Sequence, residues 1–344
     1  MFSNNQKDTA FFSPLNQFSD VCKRTLKAVP GINKAFKNFL TDTLLMFALL
    51  PRKVNFTQLE IYGKYCEKTY RSGFSKSFEW VDFNLELSSR LFKAGDRKAI
   101  AIDPSYISKS GKHTHGIGRF WSGCAQQVKH GLEILGIGLI DIDRKDCVSL
   151  KAVQTPSPKS LAKCGVTLIK WYLTCILNLR DKLIQQSRYV VADAYFSVSE
   201  FANGLEEFGF HLVSRFRSDA AMMYLYTGGR TGKKGRPKEY DGKIDFKKIE
   251  FCYRDSKQFT GLCDCQARDF DKLDFAFNAS LTSVNVAKVV INMEYPTFSI
   301  ANFKSLLYNC YLTKRFFAMS GFRPNKSLNA MIFKELSDIA ARAA

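Results

Sequence analysis

Two short apolar runs, each closing on an aspartate, constrain this chain more than any other feature. The first reads Ala99-Ile100-Ala101-Ile102-Asp103-Pro104 and the second Tyr189-Val190-Val191-Ala192-Asp193. Short continuous apolar runs bounded by turn signals are the mark of buried strands, so each places a carboxylate where a strand leaves the core. Pro104 biases Asp103 towards extended backbone and is expected to end the first strand there. Asp193 stands where a strand meets a helix, a position from which it would equally cap that helix.

The pattern around these runs fills out one order of elements. Leu132–Asp143 and Val148–Thr155 are two further strands, linked too closely for crossover helices and therefore a meander. After Pro156-Ser157-Pro158, Leu161–Gln186 reads as one long helix, Val198–Phe208 as a shorter one and Phe210–Phe216 as a last strand. Three strands, helix, strand, helix, strand is the order of an α/β ribonuclease-H-like core, a mixed sheet with flanking helices. In that order the first and fourth strands lie side by side and bring their terminal acids together. Residues 18–92 are helical in pattern, broken at Pro30, Pro51 and Gly73, and Phe275–Ile291, Ile300–Met319 and Ser327–Ala344 are helical again. The expected units are therefore 1–95, a helical and candidate DNA-end-binding domain; 96–290, the catalytic core with a basic loop at 227–240; and 291–344, a C-terminal helical segment.

Charge narrows the partner. Lysine and arginine number 51 against 32 acids, a net +19, which favours a polyanion because each neutralised phosphate releases counterions. The densest basic stretch, Thr227–Lys238, carries Lys233, Lys234, Arg236 and Lys238 among glycines and cannot form a core. Its Lys234-Gly235-Arg236-Pro237 resembles an AT-hook core, the extended segment whose arginine enters a narrow minor groove, and the order of its glycines is not that of a P-loop. Arg119 and Trp121 lie on a glycine-flanked segment after the first acid. There the indole either stacks on a nucleotide or is a buried aromatic at a sheet edge, the commoner arrangement. The ten cysteines show no paired zinc spacing and read as reduced thiols. Met1–Ala10 is polar and the most apolar helix is interrupted by Lys170 and Asn178, so the expectation is a cytoplasmic, nucleoid-associated protein without a membrane span.

Ile249–Leu262 supplies a third acid. On a helix Glu250 and Lys257, seven residues apart, share one face. A carboxylate there would complete with Asp103 and Asp193 the set of oxygen donors that two hard cations need. Glu200, Glu206, Glu207, Glu239 and Glu294 are rival acids, but none has a lysine seven residues on.

The segments Ala101-Ile102-Asp103-Pro104-Ser105, Val191-Ala192-Asp193-Ala194-Tyr195 and Glu250-Phe251-Cys252-Tyr253-Arg254-Asp255-Ser256-Lys257, continuing through Gln258-Phe259-Thr260-Gly261-Leu262, resemble those of bacterial DDE-type insertion-sequence transposases. The group concerned is marked by Tyr-x2-Arg-x3-Glu-x6-Lys. The resemblance implies Asp103, Asp193 and Glu250 as the catalytic, metal-binding triad, with Lys257 on DNA phosphate and Arg254 beside it. It also implies two Mg2+ ions (Mn2+ as a substitute), terminal inverted repeats and target DNA as partners, and a homodimer in the synaptic complex. The expected activity is metal-dependent cleavage at transposon ends with strand transfer in DNA transposition and recombination. Where the signature has arginine and tyrosine this chain has Phe246 and Lys243, and only 56 residues separate Asp193 from Glu250. That spacing reads as an internally deleted mobile-element protein, leaving an inactive DNA-binding remnant as one alternative and a ribonuclease-H-like nuclease or resolvase as another.

Overall fold

The computed structural model describes residues 13–51, 53–215, 223–225, 240–243 and 267–342. Its centre is a mixed sheet. Strands β1 (Lys98–Ser108), β2 (Gly118–Ser122), β3 (Gln127–Asp141) and β4 (Asp146–Gln154) are joined by turns, and β5 (Tyr189–Ala192) and β6 (His211–Ser214) follow, separated by helices. The order is β2-β3-β1-β5-β6, with β4 also on β3. β1, β2 and β4 run antiparallel to β3, whereas β5 is parallel to β1 and β6 to β5. This is the expected α/β core of ribonuclease-H-like topology, first and fourth core strands adjacent, with an additional short strand, β2, that the sequence pattern did not reveal.

Three local expectations are corrected. β1 does not end at Asp103; it runs through Pro104, opposite Leu135, to Ser108. Its pairing with β5 is confined to Ile100–Val190 and Ala101–Val191, so beyond Ala101 no described strand pairs on that side, where a residue without an N–H is tolerated. The long helix at 161–186 is three short ones, α6 (Pro158–Lys163), α7 (Leu168–Leu177) and α8 (Arg180–Leu183). The break is written in the sequence: Gly165 takes a left-handed φ of 63° after α6, and the Thr167 side chain caps α7 through the Lys170 N–H. Lastly, Asp193 leads first into a single 3-10 turn, Ala194–Phe196, before α9 (Ser199–Glu206).

Helices α1 (Ser13–Ala28), α2 (Lys34–Leu49), α3 (Phe56–Tyr62), α4 (Glu67–Gly73) and α5 (Trp80–Leu91) precede the sheet, and α10 (Phe270–Glu294), α11 (Ile300–Ser320) and α12 (Lys326–Arg342) follow it. α10 joins the two groups, packing on α1, α2, α5 and β4. Phe275 of α10 meets Phe74 at 4.4 Å, Trp80 at 5.3 Å and Phe39 at 6.2 Å between ring centroids, a cluster of large apolar surfaces that dominates the burial there.

Asparagines on α10 take the place of a further strand. A bulge at Leu150, where Ile137 pairs with Lys151 and Gly138 with Ser149, changes which backbone groups of β4 face outwards. Asn278 then accepts from Ala152 N–H at 2.9 Å and donates to Ala152 C=O at 3.1 Å. Two helical turns on, Asn285 accepts from Ser149 N–H at 3.2 Å and donates to Ser149 C=O at 2.8 Å. Asn84 of α5 donates to the carbonyl of the bulged Leu150 at 3.1 Å. These polar side chains on an otherwise buried helix satisfy a sheet edge that would otherwise be costly to bury.

Between Met223–Leu225 (β7) and Tyr240–Lys243 (β8), which pair antiparallel, the chain passes through most of the basic 227–240 segment. Among the described residues no helix is long and apolar enough to cross a membrane, and the seven described cysteines are free thiols.

Candidate active site

Asp103 and Asp193 are brought to one end of adjacent parallel strands by the β1–β5 register. Each stands two residues beyond the last paired position, Asp103 after Ala101 and Asp193 after Val191. The shared register thus brings both acids to the same end of the strand pair. Asp103 is half-buried and Asp193 lies at the exposed rim.

Asp193 both caps and projects. Its side chain accepts the Tyr195 N–H at 3.0 Å, and its carbonyl accepts the Ser214 hydroxyl of β6 at 2.6 Å. The protein around it partly desolvates the carboxyl and raises its pKa, opposed by the Tyr195 N–H and the charge of Arg215. Capping thus leaves a carboxylate whose negative charge would be favoured by a cation.

A buried pair backs this turn. Tyr172 of α7 donates to the Glu133 carboxylate of β3 at 2.5 Å. Burial pushes the Glu133 pKa up, and the Tyr172 and Thr155 hydrogen bonds oppose the shift. The Tyr172 ring meets Tyr195 edge-on at 6.5 Å and Phe196 at 5.4 Å, so β3 and α7 together support the residues directly after Asp193. Sequence reasoning missed Glu133, Tyr172 and Tyr195; the only signal was a lone acid inside the apolar run of β3.

The other proposed residues divide into two sets. Arg119 and Trp121 lie on one face of β2, exposed, the indole 56% so, which excludes the buried-aromatic explanation. Glu250, Arg254, Lys257, Gln258 and the loop cations Lys233, Lys234, Arg236 and Lys238 lie outside the described residues. Among the described residues no three histidine, cysteine, aspartate or glutamate side chains are gathered closely enough to hold a metal ion. The rival acids Glu200, Glu206 and Glu207 are exposed on or just after α9, and Glu294 ends α10. What the described residues offer is two carboxylates of the hard-oxygen type that Mg2+ takes, usually one or two at a time.

Residues 65–252, more than half of the chain, match the family model of the DDE superfamily endonucleases. The chain belongs to this family. The matched stretch takes in both aspartates and stops two residues after Glu250. No curated protein matches the sequence. A DDE superfamily endonuclease domain makes nucleic-acid cleavage the expected chemistry, with DNA as the expected substrate.

Proposed function

We propose that this protein is a DNA transposase that cleaves at the ends of a mobile element and transfers the freed 3′-hydroxyl to target DNA. The observation that carries the reading is the level placement of Asp103 and Asp193 on neighbouring parallel strands in a chain of the DDE superfamily. Glu250 is the proposed third acid, seven residues before Lys257. Mg2+ bound by the three acids, or Mn2+ in its place, would supply Lewis-acid stabilisation of charge developing at the phosphorus centre. The chain's own part is to hold the oxygens still. Asp103 is fixed by a strand paired on its β3 side, and Asp193 by the Tyr195 N–H and the Glu133–Tyr172 pair behind it. Lys257, Arg254 and the cations of 227–240 would hold phosphate, and two protomers would pair the two ends in a synaptic complex.

Phe246 and Lys243, in place of the signature's arginine and tyrosine, favour a second reading: an internally deleted protein that binds ends without cutting them. The test is a donor duplex carrying the inverted repeat that flanks the coding region, incubated with target plasmid and Mg2+. Covalent joining of the donor 3′ end supports the transposase. Binding without cutting supports the remnant, and hydrolysis without joining a nuclease or resolvase of the same fold.

A further inference from the structure

The stretch from Pro104 to Leu132 contains no aspartate or glutamate. It carries Lys109, Lys112, Arg119 and Lys129, together with three of the four histidines, His113, His115 and His130. Folded, it forms the outer part of β1, the following loop and the β2–β3 hairpin, whose β3 arm is exposed from Gln127 to His130. The hairpin's outer face is built from two cross-strand pairs, Arg119 with His130 and Trp121 with Val128, and all four residues are exposed. Trp121 and Val128 are each 56% exposed, while Phe120 and Ser122 on the opposite face are buried. An apolar pair beside the Arg119 guanidinium, with no carboxylate in the stretch, matches a polyanion that also offers apolar surface.

We propose that the β2–β3 ribbon docks duplex DNA with this face in the major groove, Arg119 on a phosphate and Trp121–Val128 against the base edges. The proposal rests on the DNA-cleaving reading above. A two-stranded ribbon has the width that the major groove of B-DNA admits. The register gives the distance from the cut. Asp103 pairs with Gly136, and Val128 lies eight residues further along β3, about 27 Å at strand rise. That is about eight base pairs of duplex, so the ribbon holds DNA that flanks the cleaved bond.

The experiment uses the full chain and a fluorescent 30-base-pair duplex of mixed sequence, titrated from 50 to 200 mM KCl. The variant R119Q is expected to bind at least threefold more weakly at 150 mM. Its log K against log salt slope should be shallower by about 0.9, the share of one lost phosphate contact. In the wild-type protein, bound duplex should shield the exposed Trp121 from acrylamide, and methyl green, a major-groove ligand, should compete where distamycin does not. W121F should retain most of the affinity and W121S should lose it, with unfolding temperatures unchanged for all variants at these exposed positions. An unchanged salt slope with undiminished quenching, while the wild-type protein binds, overturns the ribbon assignment and leaves the nuclease reading intact. Preference for single strands of the same length, or competition by distamycin alone, also overturns it. A wild-type protein that binds no duplex even at 50 mM overturns both.

Discussion

Asn278 and Ala152 exchange two hydrogen bonds, at 2.9 and 3.1 Å, so that a helix side chain pairs with β4 as a strand would. Ala152 pairs with Gly136, and Gly136 with Asp103. One row of the sheet therefore runs from α10 to the first candidate acid.

Asn278→Ala is expected to leave both backbone groups of Ala152 buried and unpaired, at about 1–3 kcal/mol for each. A loss of about 2–4 kcal/mol in urea unfolding checks it. A loss under about 0.5 kcal/mol would show that water or a shifted strand satisfies the edge instead.

Asp274, one turn earlier on α10, gives a pH-dependent counterpart. Burial pushes its carboxyl up to about 6; Asp271 adds to the shift, while Lys151 and the Asn278 hydrogen bond oppose it. A carboxyl raised in the folded state contributes stability below its unfolded value near 3.8, and loses it as pH rises through about 6. Asp274→Asn, which can still accept from Asn278, is expected to be more stable than wild type at pH 8 by about 3 kcal/mol. The two should converge near pH 4. Parallel stability–pH curves would contradict this origin.

Tyr172→Phe is expected to remove the hydroxyl that serves the buried Glu133 carboxylate, costing about 1–3 kcal/mol at neutral pH. Without that bond the Glu133 pKa, already raised by burial, moves further up. The penalty should therefore shrink in acid, where Glu133 is protonated in both proteins. Chemical denaturation at pH 4.5 and pH 7.5 separates this from loss of packing, which would be equal at both.

Much of the core was legible because its strands are continuous apolar runs and its parallel pair encodes which acids become neighbours. What the pattern hid follows from the same physics. β2 is exposed along one face and only five residues long, so it shows no apolar run. Pro104 is a strand terminator by its local preference, yet β1 passes through it where no described strand pairs on that side. Asn278 and Asn285 lie within the helical stretch Phe275–Ile291, and their role depends on a bulge more than 120 residues away in sequence. Of the candidate site, the two aspartates at the ends of the parallel pair could be placed by register; Glu250 lies outside the described residues.

The most direct test of the two-aspartate site is nicking of supercoiled plasmid with and without Mg2+ by wild type, Asp103→Asn and Asp193→Asn. In Asp193→Asn the amide oxygen can still accept the Tyr195 N–H and so preserve the cap, which holds the expected stability change under about 1 kcal/mol. Wild type should nick only with the metal, and both variants should bind DNA as wild type does while nicking at least a thousandfold more slowly. Variants that nick at the wild-type rate, or nicking that needs no divalent ion, would contradict the assignment.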